Sequence, residues 1–265
     1  MRKTAFLLSL CMVLLCCLTA CYMPSTDVEY ALSEDGTCAM VVGVGDGVTG
    51  RVVIADTYEG KYVTEIAEGA FAGSRVETVY LTPNIRRIGQ RAFADCEALT
   101  YLNVPAYVTE IGEAAFENCE KLGSVGLEKN SQLKSIGAAA FRGCTALTAF
   151  AVPSGVTVIG AEAFAGCDRL SSLTLGASLQ TIGDRAFMDC AALSGVSFPS
   201  TLTAIGKECF LGCKALTSAS FAEPYGWSAS ASADATQDVY LSLGYPDADA
   251  RLLTQDYASF YWRRY

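Results

Sequence analysis

Histidine is absent from all 265 residues. This removes the commonest general base and the commonest neutral metal ligand, and with them the histidine-dependent hydrolases and most zinc centres. Basic residues are scarce: 19 Lys and Arg stand against 28 Asp and Glu, for a formal charge of −9. Phosphate binding needs a clustered basic surface, so nucleic acid is excluded as a partner. No C-x-x-C pair is present to hold a metal. The chain also lacks an apolar run long enough to cross a bilayer. The longest, Phe6 to Leu18, is too short and wrongly flanked for a spanning helix. Hydrophobic residues, by contrast, make up 51% of the chain, enough for a continuous core and too many for disorder.

What the chain does contain is a repeat. A unit of 23 residues, clearest at Gly155 to Ala177, carries the skeleton Ile-Gly-x-x-Ala-Phe-x-x-Cys-x-x-Leu-x-x-(Val/Leu)-x-(Leu/Phe). Its isoleucines are Ile66, Ile88, Ile111, Ile136, Ile159, Ile182 and Ile205, and its phenylalanines follow five residues later, from Phe71 to Phe210. A fixed period of this length means a solenoid. With the isoleucine as position zero, apolar residues at 0, +4, +5 and +8 share one face of a short helix. The two-residue step between +14 and +16, as in Leu102-x-Val104, marks a strand. Pro105, Pro153 and Pro199 end three of these strands, because proline has no N–H to donate. The glycine at +1, replaced by Ala67 only in the first unit, opens the turn, where a larger residue would crowd the next coil. The expected fold is a solenoid with a parallel sheet on one face, strands about 4.8 Å apart, and short helices or turns on the other.

Residues 1–20 read as a secretory leader, with Arg2 and Lys3 as its charged start. Losing them takes the net charge to −11. Leu18-Thr19-Ala20-Cys21 resembles the lipobox of bacterial lipoproteins, in which the cysteine is acylated, so Cys21 is the candidate lipidation site and membrane contact comes through a lipid anchor. Residues 21–62 form a tether and an N-terminal β cap that hides the open end of the stack. Two strands are expected there, from Cys38 and from Arg51, joined by a hairpin turn at Asp46-Gly47. Gly45-x-Gly47-x-x-Gly50 has the form of a dinucleotide fingerprint, but β-branched Val52, Val53 and Ile54 follow where a helix would have to open. No cofactor is expected. The solenoid spans 63–223, with repeats near 63–83, 84–106, 107–130, 131–154, 155–177, 178–200 and 201–223. Extra residues at Lys129-Asn130-Ser131 bulge outward. Residues 224–265 form a C-terminal cap; its aromatics Tyr257, Phe260, Tyr261 and Trp262 read either as cap core or as a carbohydrate-stacking platform.

Cys96, Cys119, Cys144, Cys167, Cys190 and Cys213 all occupy the +8 position and form an inward structural thiol ladder, one per coil. In-register neighbours keep their Cβ atoms near the ~4.8 Å strand repeat, whereas a disulfide prefers about 3.8 Å. Free, buried thiols acting as weak S–H donors are therefore expected. Cys209 replaces the alanine at +4 and is core; Cys38 has no assigned role.

The outward strand positions, +13 and +15, are mostly small: Ser124, Gly126, Ala149, Ala151, Ser172, Thr174 and their equivalents. Interaction hot spots favour Tyr, Trp and Arg, which singles out Tyr80, Tyr101 and Asn103, with Tyr107 and Arg75 near, as the candidate binding cluster. The alternative is that these tyrosines only support cross-strand packing. Glu113, Glu117 and Glu120 are expected to form a solvated helix face, not a metal site. No enzyme is expected, since no nucleophile–base pair can be built without histidine from positions the repeat leaves free; paired carboxylates are the one remaining chemistry.

The motif Ile-Gly-x-x-Ala-Phe-x-x-Cys-x-x-Leu, with its lead-in from Val53 to Ile66, resembles the BspA-like, or treponemal-type, leucine-rich repeat proteins. The resemblance covers about two thirds of the chain. It implies a bacterial cell-envelope protein, surface-exposed or secreted, that binds a protein ligand: a host matrix protein or another bacterial surface protein. The alternative is a periplasmic structural or assembly lipoprotein that binds envelope components.

Overall fold

The computed structural model describes residues 23–232 and 239–265. The leader and Cys21 lie outside the described residues. Every coil contributes two strands to two parallel ladders. One ladder is formed by the isoleucines and the residue before each: Lys61–Ile66, Arg87–Ile88, Glu110–Ile111, Ser135–Ile136, Val158–Ile159, Thr181–Ile182 and Ala204–Ile205. The other is the sheet expected from the +14 and +16 step. It runs through Thr49–Val53, Arg75–Tyr80, Tyr101–Val104 and Ser124–Leu127, and continues as the pairs Ala149–Ala151 with Ser172–Thr174 and Gly195–Phe198 with Ser218–Phe221.

Of the helices or turns expected opposite the sheet, the solenoid uses turns. The N–H groups there point alternately in two directions. Those at +4, +6 and +8 bond within the coil, as Ala92 to the Gly89 carbonyl (3.3 Å), Ala94 to Arg91 (3.0 Å) and Cys96 to Phe93 (3.2 Å). Those at +3, +5 and +7 bond to the next coil, as Arg91 to the Glu113 carbonyl (2.8 Å), Phe93 to Ala115 (2.7 Å) and Asp95 to Glu117 (2.7 Å). A helix would direct every N–H within the segment; this arm gives half of them to its neighbour. The alternation requires left-handed backbone at +3 and +7. At +7 the residues are Gly73, Asp95, Asn118, Gly143, Gly166, Asp189 and Gly212, with φ from 57° to 79°, types that tolerate it. At +3 it is imposed on Arg91, Ala114, Ala139, Glu162, Arg185 and Glu208, with φ from 51° to 57°.

Inside the coils the phenylalanines form one continuous stack from Phe71 to Phe210, with centroids 4.8 to 5.3 Å apart and planes within 13° of parallel. All seven are fully buried. The +1 glycine is required by close approach rather than by unusual dihedrals. A Cβ on Gly112 would lie 2.7 Å from the Gly89 carbonyl carbon, and one on Gly137 2.6 Å from that of Gly112. The residue crowded is therefore in the preceding coil. Ala67 is accommodated because its neighbour on that side is a cap strand, with Ala67 N–H bonded to the Val41 carbonyl at 2.8 Å.

The N-terminal cap differs from the expected hairpin. Ala39–Val44 joins the isoleucine ladder beside Lys61–Ile66, while Thr49–Val53 joins the outer sheet beside Arg75–Tyr80. The two strands are thus an atypical extra coil, and the glycine-rich stretch is its corner, with Gly47 and Gly50 at φ 81° and 71°. Parallel partners on both ladders win over a local antiparallel pairing. The antiparallel partner of Ala39–Val44 is instead Val28–Leu32. At the other end, Tyr261–Arg264 runs antiparallel to Ala204–Ile205 and to Trp227–Ser230, and a short helix, Pro246–Arg251, packs over Ser218–Phe221. Trp227 and Trp262 are buried against Phe221, at 5.2 and 6.2 Å between centroids. Trp262 is therefore cap core and presents no stacking face.

This geometry predicts opposite outcomes for two exchanges two positions apart. Gly137→Ala should lower stability by about 3 kcal/mol, because backbone atoms cannot yield. Ala139→Gly, at φ 52°, should stay within about 1 kcal/mol of wild type or gain, because relief of left-handed strain offsets chain entropy. Urea unfolding midpoints of the two variants check this.

Candidate functional site

The outer sheet brings together three of the four candidate residues. Tyr80 pairs with Val53 of the cap strand, Tyr101 with Thr78, and Asn103 with Gly126. Tyr80 and Tyr101 are 46% and 44% exposed. The Arg51 guanidinium lies over the Tyr80 ring, 4.2 Å from its centroid, a cation–π contact that fixes the ring. Tyr101 leans the other way, across Gly126: a Cβ there would lie 2.5 Å from the Tyr101 phenol oxygen and from Asn103 Oδ1. Asn103 Nδ2 donates to Glu128 Oε1 at 3.0 Å, and Glu128 Oε2 accepts the Ala106 N–H at 3.2 Å. Tyr107 stands apart, on the corner between the two ladders, beneath the Arg86 guanidinium at 4.6 Å. Arg86 is itself held by the Pro83 and Asn84 carbonyls at 2.9 and 2.7 Å. Arg75 begins the strand that carries Tyr80 and is exposed.

Two members of this surface escape a reading of the repeat alone. Arg51 lies in the cap, outside the consensus, and only its outward register opposite Thr78 reveals it. Glu128 adjoins the extra residues of the third unit, where the consensus says nothing. The remainder of the face, from Ser124 to Ser220, is small and flat.

The turn face behaves otherwise than expected. Glu113 and Glu120 are exposed, but Glu117 is buried, with only 7% of its side chain accessible. It sits on no helix. Arg91 donates to its Oε2 at 2.9 Å, and Arg142 donates to its Oε1 through Nε at 2.9 Å. Arg91 continues to Asp95 (2.9 Å) and Arg142 to Glu162 (2.6 Å). This ion-pair chain ties successive turns together and satisfies a carboxylate that could not be buried unpaired. Among the described residues no group of acidic, cysteine or histidine side chains could hold a metal ion.

The six +8 thiols are buried, and each Sγ donates to the phenylalanine carbonyl of the preceding coil: Cys96 to Phe71 (3.0 Å), Cys119 to Phe93 (3.1 Å), Cys144 to Phe116 (3.1 Å), Cys167 to Phe141 (3.3 Å), Cys190 to Phe164 (3.2 Å) and Cys213 to Phe187 (3.1 Å). The same carbonyl already accepts the +8 N–H of its own coil, so the thiol uses its second lone pair. Burial pushes the Cys167 and Cys213 thiols up from 9.0 to about 12 and raises Cys144 and Cys190 as well. Cys209 is buried beside them, and Cys38 is half-buried, its N–H bonded to Ser33 Oγ at 3.1 Å.

Stacked coils with a leucine, isoleucine and phenylalanine core, a parallel sheet and dedicated end caps define a leucine-rich repeat scaffold, a class whose surfaces bind proteins. Residues 64–179 and 134–226 match the family described as the BspA type leucine rich repeat region, in six copies, and the chain belongs to that family. Among solved structures, the leucine rich repeat protein of T. pallidum is similar at 29% identity, with a TM-score of 0.66, over 73% of this chain and 90% of that one. A leucine-rich repeat protein from Bacteroides ovatus is 31% identical (TM-score 0.67) over 76% of this chain, which spans only 53% of its length. A leucine rich cell surface protein from Faecalibacterium prausnitzii shares the fold at 23% identity, with a TM-score of 0.67 over 84% of this chain and 61% of that one. Comparison with curated proteins gives no match.

Buried thiols predict a pH dependence with a definite sign. Below the ordinary value near 9 both states hold their protons; above it the unfolded thiols ionise while the folded ones, raised toward about 12, do not. Stability should therefore fall as pH rises through this window, by about 1.4 kcal/mol per thiol per pH unit. Urea midpoints between about pH 8 and pH 11 should fall less steeply in Cys167→Ala, by one proton's worth.

Proposed function

We propose that the protein is a non-catalytic cell-envelope scaffold that binds a protein ligand on the outer sheet around Tyr80, Tyr101 and Asn103. The observation that carries this reading is the contrast along one face. Two half-exposed tyrosines, one under Arg51, stand at one end of a sheet whose other outward residues are small. Exposed aromatics backed by arginine are the usual material of interaction hot spots. The ligand class is a host matrix protein or another bacterial surface protein, which makes the protein an adhesin displayed on the cell.

Anchoring through an acylated Cys21 is part of the proposal. The chain is clipped to the cap soon afterwards: Ser25 N–H donates to the Val53 carbonyl at 2.9 Å, and Ser25 Oγ accepts the Val53 N–H at 3.0 Å. The intervening residues span at most about 14 Å. An anchor at Cys21 holds the N-terminal end near the lipid, turns the C-terminal cap outward, and leaves the tyrosine face to be approached from the side.

Three measurements test this. Tyr80→Ala and Tyr101→Ala should each weaken binding to immobilised matrix proteins by about 1–2 kcal/mol without shifting the unfolding midpoint; unchanged binding dismisses the patch. Cys21→Ser should abolish metabolic labelling with palmitate. Proteinase added to intact cells should degrade the protein, and full protection would assign it to the periplasmic side instead.

A further inference from the structure

The tyrosines most open to solvent are in neither the tyrosine sheet nor the buried cap aromatics. Tyr225, Tyr240 and Tyr265 are 82%, 81% and 79% exposed, and of these Tyr225 and Tyr265 border a cleft of about 370 Å³ completed by Ser200, Glu223 and Arg264. We propose that this cleft is a saccharide-binding site, independent of the protein-binding face.

Each of its walls is held by a contact of its own. Gly226, at φ 79°, turns the chain so that Tyr225 faces outward while Trp227 goes into the core. A Cβ at Gly226 would lie 2.9 Å from the Tyr265 carbonyl oxygen, so the bare glycine lets the last strand close beside Tyr225. Tyr265 N–H bonds to the Gly226 carbonyl at 3.1 Å. The Trp227 indole N–H fixes the Glu223 backbone carbonyl at 2.9 Å. Arg264 gives one Nη2 bond to the Ser200 carbonyl at 2.6 Å, and its N–H bonds to the Thr203 carbonyl at 2.9 Å. With its backbone and the Arg264 guanidinium held before the ligand arrives, the site has only exposed side chains left to order on binding.

The chemistry of the cleft selects the ligand. Glu223 is exposed and supplies an acceptor-only carboxylate; the Arg264 guanidinium is donor-only; the Ser200 and tyrosine hydroxyls serve as both. Glu223 disfavours an anion and Arg264 a cation, while the polar floor offers nothing to a purely apolar molecule. A neutral sugar ring fits all three conditions. Its C–H face can lie on a tyrosine ring, and its rim of hydroxyls needs donors and acceptors side by side. The exposed Tyr225 ring at the edge of a polar cleft is accounted for by such a ligand.

Isothermal titration of the full chain in detergent with chitotriose, maltotriose and lactose, alongside a neutral glycan array, tests the site. At least one saccharide should bind. Its affinity should drop about tenfold in Tyr225→Ala and fall also in Glu223→Gln, with unfolding midpoints unchanged. Tyr80→Ala should leave saccharide binding intact, which separates this site from the sheet face. No binding across the array at millimolar concentration, or binding insensitive to Tyr225→Ala, overturns the proposal.

Discussion

The solenoid depends on one constraint: in the turn arm, every second N–H must find its acceptor in the neighbouring coil. From this follow the left-handed residues at +3 and +7, the absence of a helix, and the spacing near 5 Å that the phenylalanine rings share. It also explains the cost carried at +3, where Arg, Glu and Ala adopt a conformation that side chains disfavour. Left-handed backbone at such residues persists only where the surroundings determine it, and here a hydrogen bond from that residue to the next coil does so. The thiols complete the arrangement by serving the second lone pair of a carbonyl that would otherwise be half satisfied in a dry interior.

Much of this was legible in the sequence, and the failures have physical causes. The outer sheet was readable because a two-residue apolar step such as Leu173-x-Leu175 has few other meanings. The isoleucine ladder was not, because after Lys61–Ile66 each of its strands in the repeats is two residues long, too short to show any period. The turn arm imitates a helix: 0, +4, +5 and +8 fall on one helical face, yet the same residues also point inward in a chain of turns. A signal against the helix was present in Gly73, Asp95, Asn118, Gly143, Gly166, Asp189 and Gly212, a column restricted to residues that accept positive φ. Glu117 was misplaced for a related reason, since its burial comes from arginines 25 and 26 residues away in other coils. Of the candidate site, Tyr80 and Tyr101 could be chosen from residue type at the outward strand positions of the repeat. Arg51 could not, because the cap's pairing with Arg75–Tyr80 exists only once both strands have left the hairpin the local sequence favours.

Consensus and variation therefore divide the molecule by position. Isoleucine, alanine, phenylalanine, cysteine and leucine face inward and satisfy the stack; glycine keeps the coils at contact distance. Side chains able to recognise something else collect where the repeat gives way: at Arg51, Tyr80 and Tyr101 beside the N-terminal cap, and at Tyr225 and Tyr265 beside the C-terminal one. An end coil must be sealed by atypical sequence, and atypical sequence is free to carry chemistry that an interior coil would repeat pointlessly.

Because each interior coil presents the same backbone donors and acceptors on both flanks, removing one whole unit leaves a backbone interface of the same kind. The gain or loss of one whole unit would thus yield a longer or shorter protein that still closes on the same two caps. Each event would change the separation of the ends by one strand spacing, about 4.8 Å. Reach along the stack is thus adjustable in fixed increments with both caps unchanged.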